Sequence, residues 1–174
     1  AGIDRKALGV GDLIGNLSDQ GAAELGLTTD CVVGAGLIDA HAGALGTLGE
    51  YLDGNLDERF AMIAGTSTCH MALSSKPRFI KGVWGPYFGA LAPGLWLNEG
   101  GQSATGALRD HIVARHPFSH DMGRDAHKRA GEKLLPRMTE TPDLAPRLHV
   151  LPDFHGNRSP LADSEALGVI SGLS

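Results

Sequence analysis

At 174 residues and a formal net charge of −5, the chain has room for one domain or for parts of two, and it lacks the basic face that nucleic-acid binders carry. Its 42% hydrophobic and 20% charged content is that of an ordinary globular protein, and no apolar run approaches the roughly 20 residues that cross a bilayer. The 25 glycines are about twice the usual share of roughly 7% and follow no repeat, which suits a backbone wrapped closely around a ligand. The opening AGIDRKALGV lacks the charged-then-apolar layout of a signal peptide. Cys31 and Cys69 lie in apolar runs and read as buried thiols of a reducing compartment, so a cytoplasmic protein is expected.

In chain order, NLSDQGAAELGL predicts a short helix with Ser18 as N-cap, Ala22 and Leu25 on one face and Gly26 as its stop. TTDCVVGAGLI predicts a buried strand broken by Gly34 and Gly36 and ended by Asp39. AHAGALGTLGEYLDG predicts a helix with Leu45, Leu48 and Leu52 on one side and Gly54 as its stop. RFAMIAGTSTCHMALSS reads as two strands joined by a hydroxyl-rich turn, Gly65 to Thr68. The aromatic and glycine-rich GVWGPYFGALAPGLWLNEGGQ predicts further strands with bends. SATGALRDHIVARH follows as an amphipathic helix starting near Ser103, with Ala104, Leu108 and Ile112 stacked. The polar stretch from Pro117 to Pro146 holds a helix over 125–135, and the last 28 residues, from Arg147, supply one strand and then a loop rich in turn formers. Alternating strands and helices make the class α/β.

Three places could carry chemistry. The turn Gly65–Thr66–Ser67–Thr68 combines a glycine, which permits backbone geometry closed to other residues, with hydroxyls beside exposed amides; such a concavity holds phosphate oxygens, or it is simply a self-satisfied hairpin turn. In NEGGQSATG, Gly100 and Gly101 precede a helix start that could attract an anion, yet Glu99 beside them would repel phosphate and suits a polyol hydroxyl. Asp39 reads equally as a helix N-cap and as a general base at a strand end, and the two roles are compatible.

Other features are set aside. The eight histidines form no helical metal motif, Pro117 splits His116 from His120, and no metal cluster is expected. Cys69 and His70 are neighbours on a strand and point to opposite faces. Neither a G-x-S-x-G elbow nor a P-loop is present.

Four ordered segments, GAGLIDAHAG, MIAGTSTCHM, VWGPYFGALAPGLWLNEGGQSATG and LHVLPDFHGNRSPLAD, resemble the FGGY family of carbohydrate kinases, and within it the pentulose, D-ribulokinase-like branch. The resemblance implies a ribonuclease-H-like (actin/hexokinase-like) fold of two lobes, with residues 1–58 closing the first, sugar-binding lobe and residues 59–174 opening the second, ATP-binding lobe. It implies transfer of a phosphoryl group from ATP with Mg²⁺ to a ketopentose hydroxyl, with Asp39 as base and Glu99 and His41 at the sugar. Gly65, Thr66, Ser67 and Thr68, with Gly101 and Gln102, fall on the nucleotide side, and Asn157, Arg158 and Asp163 match a signature loop read here as structural. The family also allows a homodimer, while no nucleic-acid or membrane partner is expected. Neither the first-lobe Asp-x-Gly phosphate loop nor the glycine-rich adenosine segment occurs in these residues, so the segment by itself is expected to be inactive. An actin- or chaperone-like ATPase and a non-enzymatic sugar-binding remnant are the rival readings.

Overall fold

The computed structural model describes residues 7–120 and 123–173. Two compact units divide them: one contains the chain up to Ile63 together with His70–Glu99, the other Ala64–Cys69 together with the chain from Gly100 onward.

In the first unit, β1 (Leu13–Asn16) and β2 (Val32–Gly34) form a two-stranded antiparallel sheet around helix α1 (Asp19–Leu25). The ends of α1 are set by local chemistry. The Ser18 hydroxyl accepts the Gly21 amide at 3.1 Å, and Gly26 closes the helix in the left-handed region at φ 67°. Ala22 is buried as expected, whereas Leu25 is 65% exposed and does not share its environment. The expected buried strand at 28–38 is instead three residues long. Val32 stands 65% exposed and Cys31 is exposed, and among the described residues β2 pairs only with β1. Cys69 is half-buried rather than buried.

Helix α2 (Asp39–Leu48) continues as a short 3-10 turn over Gly49–Tyr51. Its inward positions are His41, Ala44 and Leu48, spaced three and four apart, so Leu48 alone of the three expected leucines is fully buried. A four-stranded sheet of order β3-β4-β6-β5 follows, from β3 (Ala61–Ala64), β4 (Thr68–Ser74), β5 (Trp84–Phe88) and β6 (Trp96–Gln102). Met71, Leu91 and Leu97 are fully buried in this unit beside Ala44, Ala61 and Leu73, and each large side chain contributes about 1.5–3 kcal/mol by leaving water. The β5–β6 register shifts between Trp84 and Tyr87, which sets Trp84 opposite Glu99. Gly85 makes that shift possible: its φ is 103°, and a Cβ there would lie 2.4 Å from the Leu97 carbonyl oxygen.

In the second unit, helix α3 (Gly106–Arg115) begins three residues later than Ser103. Ala104 therefore lies outside it, buried at a φ of 60°, and Ile112 is 44% exposed, so the expected apolar stack is not formed. Pro117 opens helix α4 (Pro117–His120), where its missing N–H costs nothing. Helix α5 (Ala126–Glu140) runs through Pro136 and ends five residues beyond the expected stop; the Thr139 hydroxyl donates to the Leu135 carbonyl in its last turn. The C-terminal segment carries two strands, not one. β7 (His149–Leu151) pairs antiparallel with β8 (Val169–Ser171), and a tightly bonded loop lies between them. Among the described residues, no helix is long and apolar enough to cross a membrane.

Candidate functional site

Asp39 is the first residue of α2 rather than its cap; the capping position is Ile38, in extended geometry with φ −62° and ψ 145°. The Asp39 carboxylate nevertheless works on the helix end, since its Oδ1 accepts the Ala40 amide at 2.7 Å. An acidic group in the first turn is favoured by the unpaired amides and the dipole there. The side chain is exposed. Two residues on, a rotation of about 200° turns His41 to the opposite side of the helix, into the protein.

His41 is buried, and its Nε2 lies 3.3 Å from Glu99 Oε2, the two side chains being 10% and 13% exposed. An ionised carboxylate offers only acceptors, so the imidazole donates. The contact joins the start of α2 to β6 across 58 positions of sequence. Glu99 Oε1 has no hydrogen-bond partner among the described residues. It also reaches solvent, because the one buried, unpartnered side-chain polar atom among them is Thr68 Oγ1. One carboxylate oxygen is thus held and the other is available to a ligand hydroxyl.

The second unit holds the turn Gly65–Ser67 between β3 and β4. The Gly65 amide donates to the Ser67 carbonyl at 2.8 Å. The carbonyls of Gly65 and Thr66 accept from the entry of α3: Gly106 N to Gly65 O at 3.0 Å, Thr105 N to Thr66 O at 2.9 Å and Ala107 N to Thr66 O at 3.4 Å. The glycine requirement falls on a residue that the sequence reading did not single out. Gly65 has no positive φ, and a Cβ there would meet nothing nearer than the Ser67 oxygen at 3.7 Å, whereas one on Gly106 would sit 2.5 Å from the Gly65 oxygen. This corrects the expectation that Gly65 supplies a geometry closed to other residues.

The first amides of α3 are consequently spent on the turn, and the anion-attracting helix start expected after Gly101 does not exist in that form. Gly100, Gly101 and Gln102 belong to β6. Gly101 is buried, and the Gln102 side-chain amide donates to the carbonyls of Ser103 at 3.2 Å and Pro152 at 3.4 Å. The amides of Thr66 and Ser67 donate to no described residue, and the Thr68 hydroxyl is 3% exposed without a partner. A cleft of about 560 Å³ opens beside the turn, walled by Thr66, Thr105, Gly106, Arg109 and Asp110 among others.

Asn157 organises the loop that follows β7. Its Nδ2 donates to both Asp153 carboxylate oxygens at 3.1 Å, its Oδ1 accepts the Leu161 amide at 2.8 Å, and its backbone pairs with that of Asp163. The Asp163 carboxylate in turn accepts the Glu165 amide at 2.9 Å. Asp153, 3% exposed, is the buried anchor that the sequence reading missed; only its place four residues before Asn157 could have flagged it.

The family profile described as the C-terminal domain of the FGGY family of carbohydrate kinases matches residues 60–174. Similar proteins include an FGGY carbohydrate kinase domain-containing protein of Danio rerio, 46% identical over 91% of this chain and 32% of its own length. A D-ribulokinase of Saccharomyces cerevisiae is 40% identical over 96% of this chain and 27% of its own. Among solved structures, the xylulose kinase of Rhodospirillum rubrum superposes with a TM-score of 0.69 at 25% identity, covering 97% of this chain and 31% of that one. The chain spans about a third of the length of these relatives. Its fold is the α/β, actin/hexokinase-like fold of sugar kinases. The chain belongs to the FGGY family of carbohydrate kinases.

Proposed function

We propose that the protein carrying this chain is an ATP-dependent kinase of a ketopentose, most like a D-ribulokinase. The observation that carries the reading is Glu99, a carboxylate with one oxygen fixed by His41 and one left open. That is an acceptor suited to a sugar hydroxyl and unsuited to a phosphate. Support for the ketopentose comes from the relatives named D-ribulokinase and ribulokinase. Residues 1–58 would close the sugar-binding lobe and residues 59–174 open the ATP-binding lobe of a cytoplasmic enzyme, with a homodimer open to test.

Asp39 accepts the proton of the attacking sugar hydroxyl, its exposed carboxylate steadied by the Ala40 amide. Glu99 receives a second hydroxyl and, with His41, fixes the orientation of the sugar. The uncommitted amides of Thr66 and Ser67 and the orphan hydroxyl of Thr68 fit phosphate oxygens, with Gly65 completing the turn. Gly101 and Gln102 shape the adjoining strand end on the nucleotide side. ATP with Mg²⁺ supplies the transferable phosphoryl group and screens its charge.

The test is sugar-dependent ADP release by the longest natural polypeptide containing this sequence, over a panel of pentuloses, hexuloses and polyols. A ketopentose is expected to give the highest turnover, and Asp39→Asn to lower it about 10²- to 10⁴-fold while sugar affinity holds. ATP hydrolysis indifferent to every sugar would favour a shape-switching ATPase instead, and ketose binding without nucleotide binding a non-enzymatic remnant.

A further inference from the structure

The turn over Gly65–Ser67 offers a phosphate only neutral donors. It carries no cationic side chain, and the amides of Thr105, Gly106 and Ala107 at the entry of α3 already donate to the Gly65 and Thr66 carbonyls. What remains at the turn is two uncommitted amides and one orphan hydroxyl. A cationic partner would add the charge compensation that such neutral donors lack.

The cleft beside the turn contains one basic residue among those lining it, Arg109. Arg109 lies one turn into α3; its amide donates to the Thr105 carbonyl at 3.0 Å. Helical side chains lean toward the N-terminus of their helix, which is the direction of Thr105 and Gly106, residues that line the same cleft. It makes no ion pair or side-chain hydrogen bond with any described residue. The neighbouring acid on the same wall, Asp110, lies 3.1 Å from His127 Nε2 and forms no ion pair with Arg109. A guanidinium unpaired among the described residues and lining the same cleft as Gly65 and Thr66 of the turn suits a bidentate contact to phosphate.

We propose that Arg109 is a nucleotide-binding residue: it contacts the phosphates of a nucleoside polyphosphate held at the Gly65–Ser67 turn. The assignment rests on the kinase reading above for the identity of the nucleotide, but its test does not require sugar turnover. In the longest natural polypeptide, direct binding of ATP, ADP, AMP and adenosine is measured for wild type, Arg109→Gln and Arg109→Lys. Arg115→Gln, in the last turn of the same helix and not among the residues lining the cleft, is the control. Arg109→Gln is expected to weaken ATP about five- to tenfold, less for AMP and not at all for adenosine, and Arg109→Lys to recover part of the loss. Unchanged ATP affinity in Arg109→Gln overturns the proposal, as does an equal loss for adenosine or for Arg115→Gln. A wild type that binds ATP through Arg109 but phosphorylates no sugar would refute the kinase reading and leave this assignment standing. Sugar kinase activity with an ATP KM indifferent to Arg109→Gln would do the reverse.

Discussion

The two candidate places are built from different material. Around Glu99 the chemistry is in side chains: a carboxylate on β6, an imidazole on α2 and, at the start of that helix, Asp39. Around Gly65 it is in the backbone: carbonyls that receive a helix end, amides left uncommitted, and a glycine at 106 where nothing larger fits. A side-chain site can be disarmed without disturbing the fold, because isosteric replacement changes charge and leaves volume. A backbone site is disturbed by added volume, and a charge scan of the turn's own residues hardly notices it. The contrast sets where each kind of substitution should bite.

The largest expected effect is at the side-chain site. His41→Leu removes the donor that orients Glu99, which should raise the ketose KM roughly tenfold, and the acceptor left unpaired should lower stability by about 1–3 kcal/mol. Glu99→Gln should act on the same parameter. Combined, the two should cost little more than either alone, because they remove one interaction. Steady-state KM values for ketose and for ATP, measured on both singles and the double, decide it: additive losses, or a loss shared by ATP, would show that the pair does not act on the sugar. Next comes the backbone site. Gly106→Ala puts a methyl 2.5 Å from the Gly65 oxygen, and the α3 entry must move off the turn at a cost of about 1–3 kcal/mol. Gly65→Ala, with its nearest contact at 3.7 Å, serves as the tolerated companion. Denaturant midpoints should separate the two, and Gly106→Ala should raise the ATP KM while leaving that of the ketose alone. The opposite pattern would break the division of labour between the sites.

Much of this was legible from the sequence where a local rule governs. Ser18 and Gly26 marked both ends of α1, and the turn between β3 and β4 announced itself by composition. Local rules failed where the decision belongs to a neighbour. The run around Cys31 is apolar enough for a core strand, but among the described residues only β1 pairs with it, and it stays exposed. β8 is three residues long and exists through its pairing with β7. Asp39 and Glu99 could be picked out by type and motif. That His41 would hold Glu99 could not, because the contact depends on the β6 register that Gly85 sets. Gly106 and Arg109 looked like ordinary helix residues, and only the carbonyls they approach give them meaning.

The smallest effect sharpens the comparison most, because it asks the backbone site for a side-chain response. Thr68 Oγ1 is buried and has no partner. Burying a hydroxyl without a hydrogen bond is unfavourable, and replacing it by a methyl of the same shape is close to neutral or stabilising. If the hydroxyl is only an imperfection of packing, Thr68→Val should therefore raise the unfolding midpoint slightly, by the equivalent of up to about 1 kcal/mol, with ATP affinity untouched. If the hydroxyl is kept for a phosphate oxygen, the same variant should be at least as stable without nucleotide, bind ATP a few-fold more weakly and gain less stability when ATP is added, since a ligand stabilises only in proportion to its affinity. Thermal midpoints with and without ATP distinguish the two. We expect the second outcome, because Thr68 adjoins the only two turn amides, those of Thr66 and Ser67, that donate to no described residue.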